Sequence, residues 1–157
     1  MKVVVGCDFS AIKMKNDMKA YLTQQGHEVL DVGQNEGDEE LIYPEAAKAV
    51  ALALQKKEAE KGIIFCGTGG GVSIVANKFK GIYCVASESM FTAFKMRQLN
   101  DANVLAMGKN VVGELNSYEM ADMFLNTEFC SGYAEERTAF VTGLKNRMLE
   151  IEEENLR

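Results

Sequence analysis

Apolar residues along this chain come in short blocks separated by longer amphipathic stretches. Val3–Cys7 is a continuous, valine-rich run that stops at Asp8, the pattern of a strand covered on both faces. Ser10 stands where a helix cap is expected. Met14, Met18, Tyr21 and Leu22 then share one stripe of a helix that runs to about Gln25 and stops at Gly26. His27–Val32 predicts a second strand, followed by Gly33 and a polar, acidic loop over Gln34–Glu40. Pro44 suits the first turn of a second helix, whose Ala47, Val50, Ala51 and Leu54 give a face of small residues. Gly62–Cys66 predicts the third strand, and Gly67-Thr68-Gly69-Gly70-Gly71 follows it directly into a short helix over Val72–Lys78. Ile82–Ala86 is the fourth strand, Ser87 or Ser89 caps a helix through Arg97, Asn103–Met107 is the fifth strand, and Gly113–Leu125 the next helix. From Tyr133 onward the pattern is helical. Val141, Leu144, Met148 and Ile151 form a narrow seam there, suited to another helix or another subunit, and Glu150, Glu152, Glu153 and Glu154 predict solvated final turns.

Five apolar strands alternating with helices predict an α/β fold: a doubly wound, Rossmann-like, five-stranded parallel sheet with right-handed crossovers. The whole chain, 1–157, reads as a single domain with a long C-terminal helix at about 133–156 that is expected in subunit contacts. Ligands of such sheets bind at the carboxyl ends of the strands. Asp8, Cys66–Gly71, Ser87 and the segment after Met107 are therefore expected along one edge.

Composition narrows the classes. Apolar residues make up 47% and charged residues 25%, which fits a folded globular chain. A net charge of −6 argues against a broad nucleic-acid surface but leaves room for a small anion in a local pocket. The N-terminal apolar run is too short for a signal peptide or a membrane span. The cysteines Cys7, Cys66, Cys84 and Cys130 show no CxxC spacing, and the one histidine, His27, is far from them in sequence. No zinc site is expected, and the thiols are expected free in a cytoplasmic protein.

Four glycines in five residues between a strand and a helix carry the chemistry. Glycine allows positive φ and close approach of a ligand to the backbone. Successive N–H groups, with a helix N-terminus behind them, suit a phosphate, a carboxylate or an enediolate oxygen. Familiar nucleotide fingerprints do not fit. GxGxxG from Gly67 would need glycine at Val72, and no Gly-Lys-Ser/Thr follows. NAD and ATP are disfavoured; a ligand-free structural turn is the bland alternative. Cys66 sits at the strand end, where free N–H groups lower a thiol pKa and equip it as a base. A buried structural cysteine is an equal reading of that position alone. Thr68 either donates a hydrogen bond or fills the turn, and Asp8 either accepts from sugar hydroxyls or caps the following helix.

A set of motifs occurs in order: Gly6-Cys7-Asp8, Gly26-His27-Glu28-Val29, Tyr43-Pro44, Cys66–Gly71 with Ala76-Asn77-Lys78, Asn100–Leu105 and Asn126–Phe129. Together they resemble type B ribose-5-phosphate isomerase and the subunits of galactose-6-phosphate isomerase, from residue 2 to about 140. The resemblance implies metal-free, cofactor-free aldose–ketose isomerisation of a phosphorylated pentose or hexose. It implies Cys66 as the base acting between sugar carbons 1 and 2, with Thr68 and the amides of Gly67, Gly69, Gly70 and Gly71 holding the enediolate oxygen. Asp8, Tyr43 and Asn100 would contact the sugar and Arg137 the phosphate. It also implies a homodimer or homotetramer with sites between subunits, and no nucleic-acid or membrane partner.

The chain departs from that pattern at Phe9, Leu99, Asn110 and Tyr133-Ala134, where the family has histidines and arginines. Retention of Cys66 alongside these losses resembles the cysteine-bearing subunit of a hetero-oligomer, whose histidine-containing paralogue would supply the missing groups. The alternatives are a non-catalytic sugar-phosphate-binding or regulatory paralogue, and an isomerase for a different sugar.

Overall fold

The chain folds in the expected alternation. The computed structural model describes residues 1–156. Its elements are β1 (Lys2–Cys7), α1 (Ile12–Gln24), β2 (Glu28–Asp31), α2 (Tyr43–Gln55), β3 (Lys61–Cys66), α3 (Gly70–Ala76), β4 (Cys84–Ala86), α4 (Met90–Gln98), β5 (Val104–Gly108), α5 (Glu114–Asn126) and α6 (Glu135–Asn155). The sheet is parallel throughout, in the order β2-β1-β3-β5-β4. The chain winds outward from β1 to β2, then crosses back to β3. The junction of β1 and β3 is thus a switch point, where neighbouring crossovers leave in opposite directions and open a crevice.

Period-two alternation sorts the strand residues between two layers. Val3, Val5, Cys7, Ile63 and Phe65 pack with Met18 and Leu22 of α1, Ala93 and Met96 of α4, and Met120 and Phe124 of α5. Val4, Ile64, Cys66 and Val104 pack with Ala47, Val50 and Ala51 of α2 and Val72 of α3. Cys66 therefore faces the α2–α3 layer, and Cys7 the opposite one. All four cysteines are free and buried. Burial pushes the Cys7 thiol up to about 11 and the Cys84 thiol up to about 12.

Several boundaries differ from the sequence reading. Ser10 does not cap α1. The Asp8 carboxylate takes the Ser10 amide (2.9 Å) and hydroxyl (2.7 Å) first, closing a turn that delays the helix to Ile12. Of the two candidate serines, Ser89 caps α4. β4 begins only at Cys84, because side chains replace the ladder before it: Asn103 bonds Tyr83 N and Gly81 O, and Asn77 accepts from Cys84 N. The end of α6 is not freely solvated. Glu152 accepts from Gly81 N (2.8 Å) and the Tyr83 hydroxyl (3.0 Å). With Lys145 on Asp101 and the Tyr133 hydroxyl on Gln98, these contacts lay α6 along the amino edge of the sheet. Val141 of its seam is buried, whereas Leu144 and Ile151 stay exposed.

One buried cation ties α1 to the loop after β2. Lys15 has no exposed surface, and its ammonium meets Asp31 at 2.6 Å and Asn35 Oδ1 at 3.1 Å. Burial pushes the Asp31 carboxyl up, but Lys15, the Gly33 amide and Lys19 outweigh it and hold the group below its ordinary value of 3.8. A depressed carboxyl stabilises the fold above its unfolded pKa and loses that contribution as pH falls through the folded one. Lys15→Met should cost about 3 kcal/mol in urea unfolding at pH 7, since it strands Asp31 with only the exposed Lys19. The deficit should shrink as the pH is lowered below about 4; an unchanged deficit at pH 3 would contradict this account of the pair.

The loop after β3 is set by two close approaches. Gly69 has φ of +80°. A Cβ at Gly108 would fall 2.5 Å from the Thr68 carbonyl carbon. Gly108→Ala must therefore displace the backbone of Thr68. It should abolish the protein's activity while α1 and β2 keep their amide-exchange protection, and full activity would show that loop position is unimportant.

Candidate active site

The third strand delivers Cys66 to the carboxyl edge beside the switch point. Cys66 is 5% exposed, and its sulfur accepts the Gly69 N–H at 3.1 Å. The Cys66 carbonyl accepts from Lys109 N (2.9 Å) and the Gly67 carbonyl from Asn110 N (3.1 Å), which fastens the loop to the end of β5. Thr68 is exposed, and its Oγ1 accepts the Gly70 N–H at 3.3 Å. Among the described residues, the N–H groups of Gly67, Thr68 and Gly71 meet no acceptor within the chain. One loop amide thus already donates to the sulfur, neighbouring ones are left without a partner, and the loop leads directly into the N-terminus of α3.

Two further predicted residues stand at this edge. Asp8 follows β1, is 7% exposed and is oriented by Ser10 through Oδ1. Tyr43 opens α2, and its half-exposed ring lies over Gly71, where a Cβ would come within 3.0 Å of ring carbons. Asp8, Tyr43, Cys66, Thr68 and the loop glycines therefore share one face of the molecule. A cavity of about 330 Å³ opens on the neighbouring α1–α5 side, lined by Ser10, Lys13, Lys109 and Glu114. Its lining does not include Cys66, so the donor geometry of the loop, rather than that cavity, marks the site.

Asn100 and Arg137 lie elsewhere. Asn100 follows α4 and precedes β5, at the amino edge, and it is exposed. Val104 pairs beside Gly62 and Gly108 beside Cys66, so four strand steps, roughly 13 Å, separate the level of the β5 entry from the sulfur. The Asn100 turn is rigidly held. Asp101 adopts φ of +52° and is gripped by Arg97 (2.7 Å) and Lys145. Arg137, exposed near the start of α6, stacks over Tyr133 (5.7 Å) and Phe140 (5.3 Å).

Lys95 was not singled out from the sequence. Its ammonium lies 5.8 Å from the Tyr133 ring centroid and 2.6 Å from Gln98 Oε1, the oxygen that also receives the Tyr133 hydroxyl. Two cations thus share one aromatic ring beside Asn100. Its position one helical turn before Leu99 was the available signal.

His27 sits in the turn before β2, at the amino edge, and its Nδ1 is buried without a partner. No helix among the described residues is long and apolar enough to cross a membrane.

The fold is shared with known proteins. The sequence profile described as Ribose/Galactose Isomerase matches residues 3–141. The 4-deoxy-4-sulfo-D-erythrose isomerase of Clostridium sp. (strain MSTE9) is 41% identical over 98% of this chain and 96% of that protein. Ribose-5-phosphate isomerase B of Escherichia coli is 38% identical over 93% of this chain and 97% of that one. The solved structure of Clostridium thermocellum ribose-5-phosphate isomerase B superposes with a TM-score of 0.86 at 35% identity, covering 98% and 99% of the two chains. The chain belongs to the ribose/galactose isomerase family of sugar isomerases.

Proposed function

We propose that this protein is an aldose–ketose isomerase for a sugar with a terminal anionic group, with Cys66 as its base and a site completed by a second copy of the chain. The observation that carries this reading is the Cys66 sulfur accepting the Gly69 N–H next to loop amides that have no partner. In the aldose-to-ketose direction, the Cys66 thiolate takes the proton on carbon 2. The electron pair forms the C1–C2 double bond, and negative charge moves onto O1. The amides of Gly67, Thr68 and Gly71, which have no acceptor among the described residues, are the donors left to meet that developing charge. The hydroxyl proton passes from O2 to O1, and the thiol returns its proton to carbon 1, giving the ketose. Thr68 Oγ1, already accepting from Gly70, can donate its own proton to the substrate oxygen. Asp8 keeps Oδ2 for a sugar hydroxyl, and Tyr43 walls the site.

At the Cys66 edge Lys109 is joined to the loop through its backbone and lines the neighbouring α1–α5 cavity, and the anion draws its remaining cations from the other edge. Arg137 and Lys95 flank Tyr133 at the amino edge, together with Asn100. A second copy placing its amino edge over the first copy's carboxyl edge joins the two halves. Relatives act, by their names, on a four-carbon sulfo-sugar and on ribose 5-phosphate, so a terminal oxyanion is the feature common to both.

Cys66→Ala should lower kcat about 1,000-fold with substrate affinity by calorimetry unchanged; wild-type turnover would reject the base assignment. Complementation tests the shared site. Cys66→Ala and Arg137→Ala should each be nearly inactive alone. After unfolding and refolding together in equal amounts, they should recover about one quarter of wild-type activity, because half of the pairs then hold one intact site of two. No recovery would place the whole site in one chain or assign the second half to a paralogue.

A further inference from the structure

Opening a sugar ring requires an acid at the ring oxygen and a base at the anomeric hydroxyl, acting together near neutral pH. Imidazole is the side chain whose ordinary pKa suits both tasks. This chain has one histidine, His27. It lies at the entry to β2, level with Met1, whereas Cys66 is level with Asp8, so about seven strand steps, roughly 23 Å, separate it from the Cys66 edge. In a second copy offering its amino edge, it stands three strand spacings, roughly 14 Å, from the Asn100 side of the sheet. Its Nδ1 is also sealed without a partner.

The side chains beside the sugar-binding groups cannot replace it. Phe9 follows Asp8, Leu99 precedes Asn100, and Tyr133 lies under Arg137 with its hydroxyl committed to Gln98. Asp101 is engaged by Arg97 and Lys145.

Resting on the isomerase reading above, we propose that the substrate is a four-carbon aldose or ketose with its anion on carbon 4. Such a sugar never closes a ring. A pentose 5-phosphate closes through O4, and a hexose 6-phosphate through O4 or O5. A tetrose has only O4 for this purpose, and an ester or a sulfonate at carbon 4 removes it. Both partners of the reaction are then open chains, and the absence of ring-opening groups costs nothing. A tetrose also keeps a carbon-3 hydroxyl for Asp8, which a triose lacks. Phosphate and sulfonate present the same oxyanion face to Arg137 and Lys95.

The test uses the wild-type protein with erythrulose 4-phosphate, its 4-sulfonate counterpart, a triose phosphate and ribose 5-phosphate. One of the two tetruloses should exceed ribose 5-phosphate in kcat/KM by about 100-fold, and which one identifies the anion. With ribose 5-phosphate, the rate should reach a plateau as enzyme is increased, because spontaneous ring opening supplies the reactive form; with the tetrulose it should stay proportional to enzyme over the same range. A ribose 5-phosphate rate that remains proportional to enzyme would show that the protein opens rings itself and would overturn the inference while leaving the isomerase reading intact. Faster turnover of the triose than of either tetrulose would overturn the chain length. No turnover of any sugar would defeat the isomerase reading itself.

Discussion

The hydrogen bond from the Gly69 amide to the Cys66 sulfur is the constraint on which the site depends. It requires the chain to reverse within three residues of a fully buried strand. Only a positive φ at position 69 does this without steric cost, and only a glycine at 108 leaves room for the Thr68 backbone that results. The same reversal leaves neighbouring N–H groups unpaired at the sheet edge. Folding has already oriented these donors, so they need not reorganise when charge develops in front of them. The thiol proposed as the base and the donors proposed to stabilise the charge are products of one turn.

The topology decides what that turn can reach. Because every strand is parallel and every helix returns the chain to the amino edge, residues just before a strand and residues just after one lie on opposite sides of the molecule. Cys66 belongs to the second kind and Asn100 to the first. No side chain spans that separation, and α6 cannot help, because its contacts with Asp101, Gln98 and Tyr83 hold it against the amino edge. The division of labour between copies proposed above rests on this strand direction.

Much of this was readable in the sequence. The strands β1, β3 and β5 stood out because both faces are buried and the apolar runs are unbroken. The loop glycines and Asp8 were found because turn chemistry is local. The shortfalls were effects of side-chain partners outside the element concerned, one of them only two residues away. Ser10 lost its capping role to Asp8, β4 was trimmed by Asn77 and Asn103, and the acidic tail of α6 found Gly81 and Tyr83. None of these contacts leaves a period in the sequence. Lys95 escaped notice for the same reason: its proximity to Tyr133 depends on a contact between two helices, not on spacing within one. Asn100 and Arg137 were singled out, but their distance from Cys66 becomes visible only once strand direction is fixed.

An acidic protein that binds an anion poses an electrostatic problem, and the two halves of the site answer it differently. The net charge of −6 gives no long-range attraction for a sugar phosphate or sulfonate. At the Cys66 edge the binding groups are backbone amides, which carry no net charge and act only within a few ångströms. They distinguish an oxyanion from a neutral hydroxyl without altering the overall field. At the amino edge the charges are real, but Lys95 and Arg137 lie against the Tyr133 ring, which excludes water from one side and aligns the cations through its negative face. Each half alone is weak. In the proposed pairing of two copies they would enclose a substrate with one end ready to become an enediolate and the other permanently charged, and the distance between the two ends, set by the subunit contact, would act as a ruler for the length of the sugar.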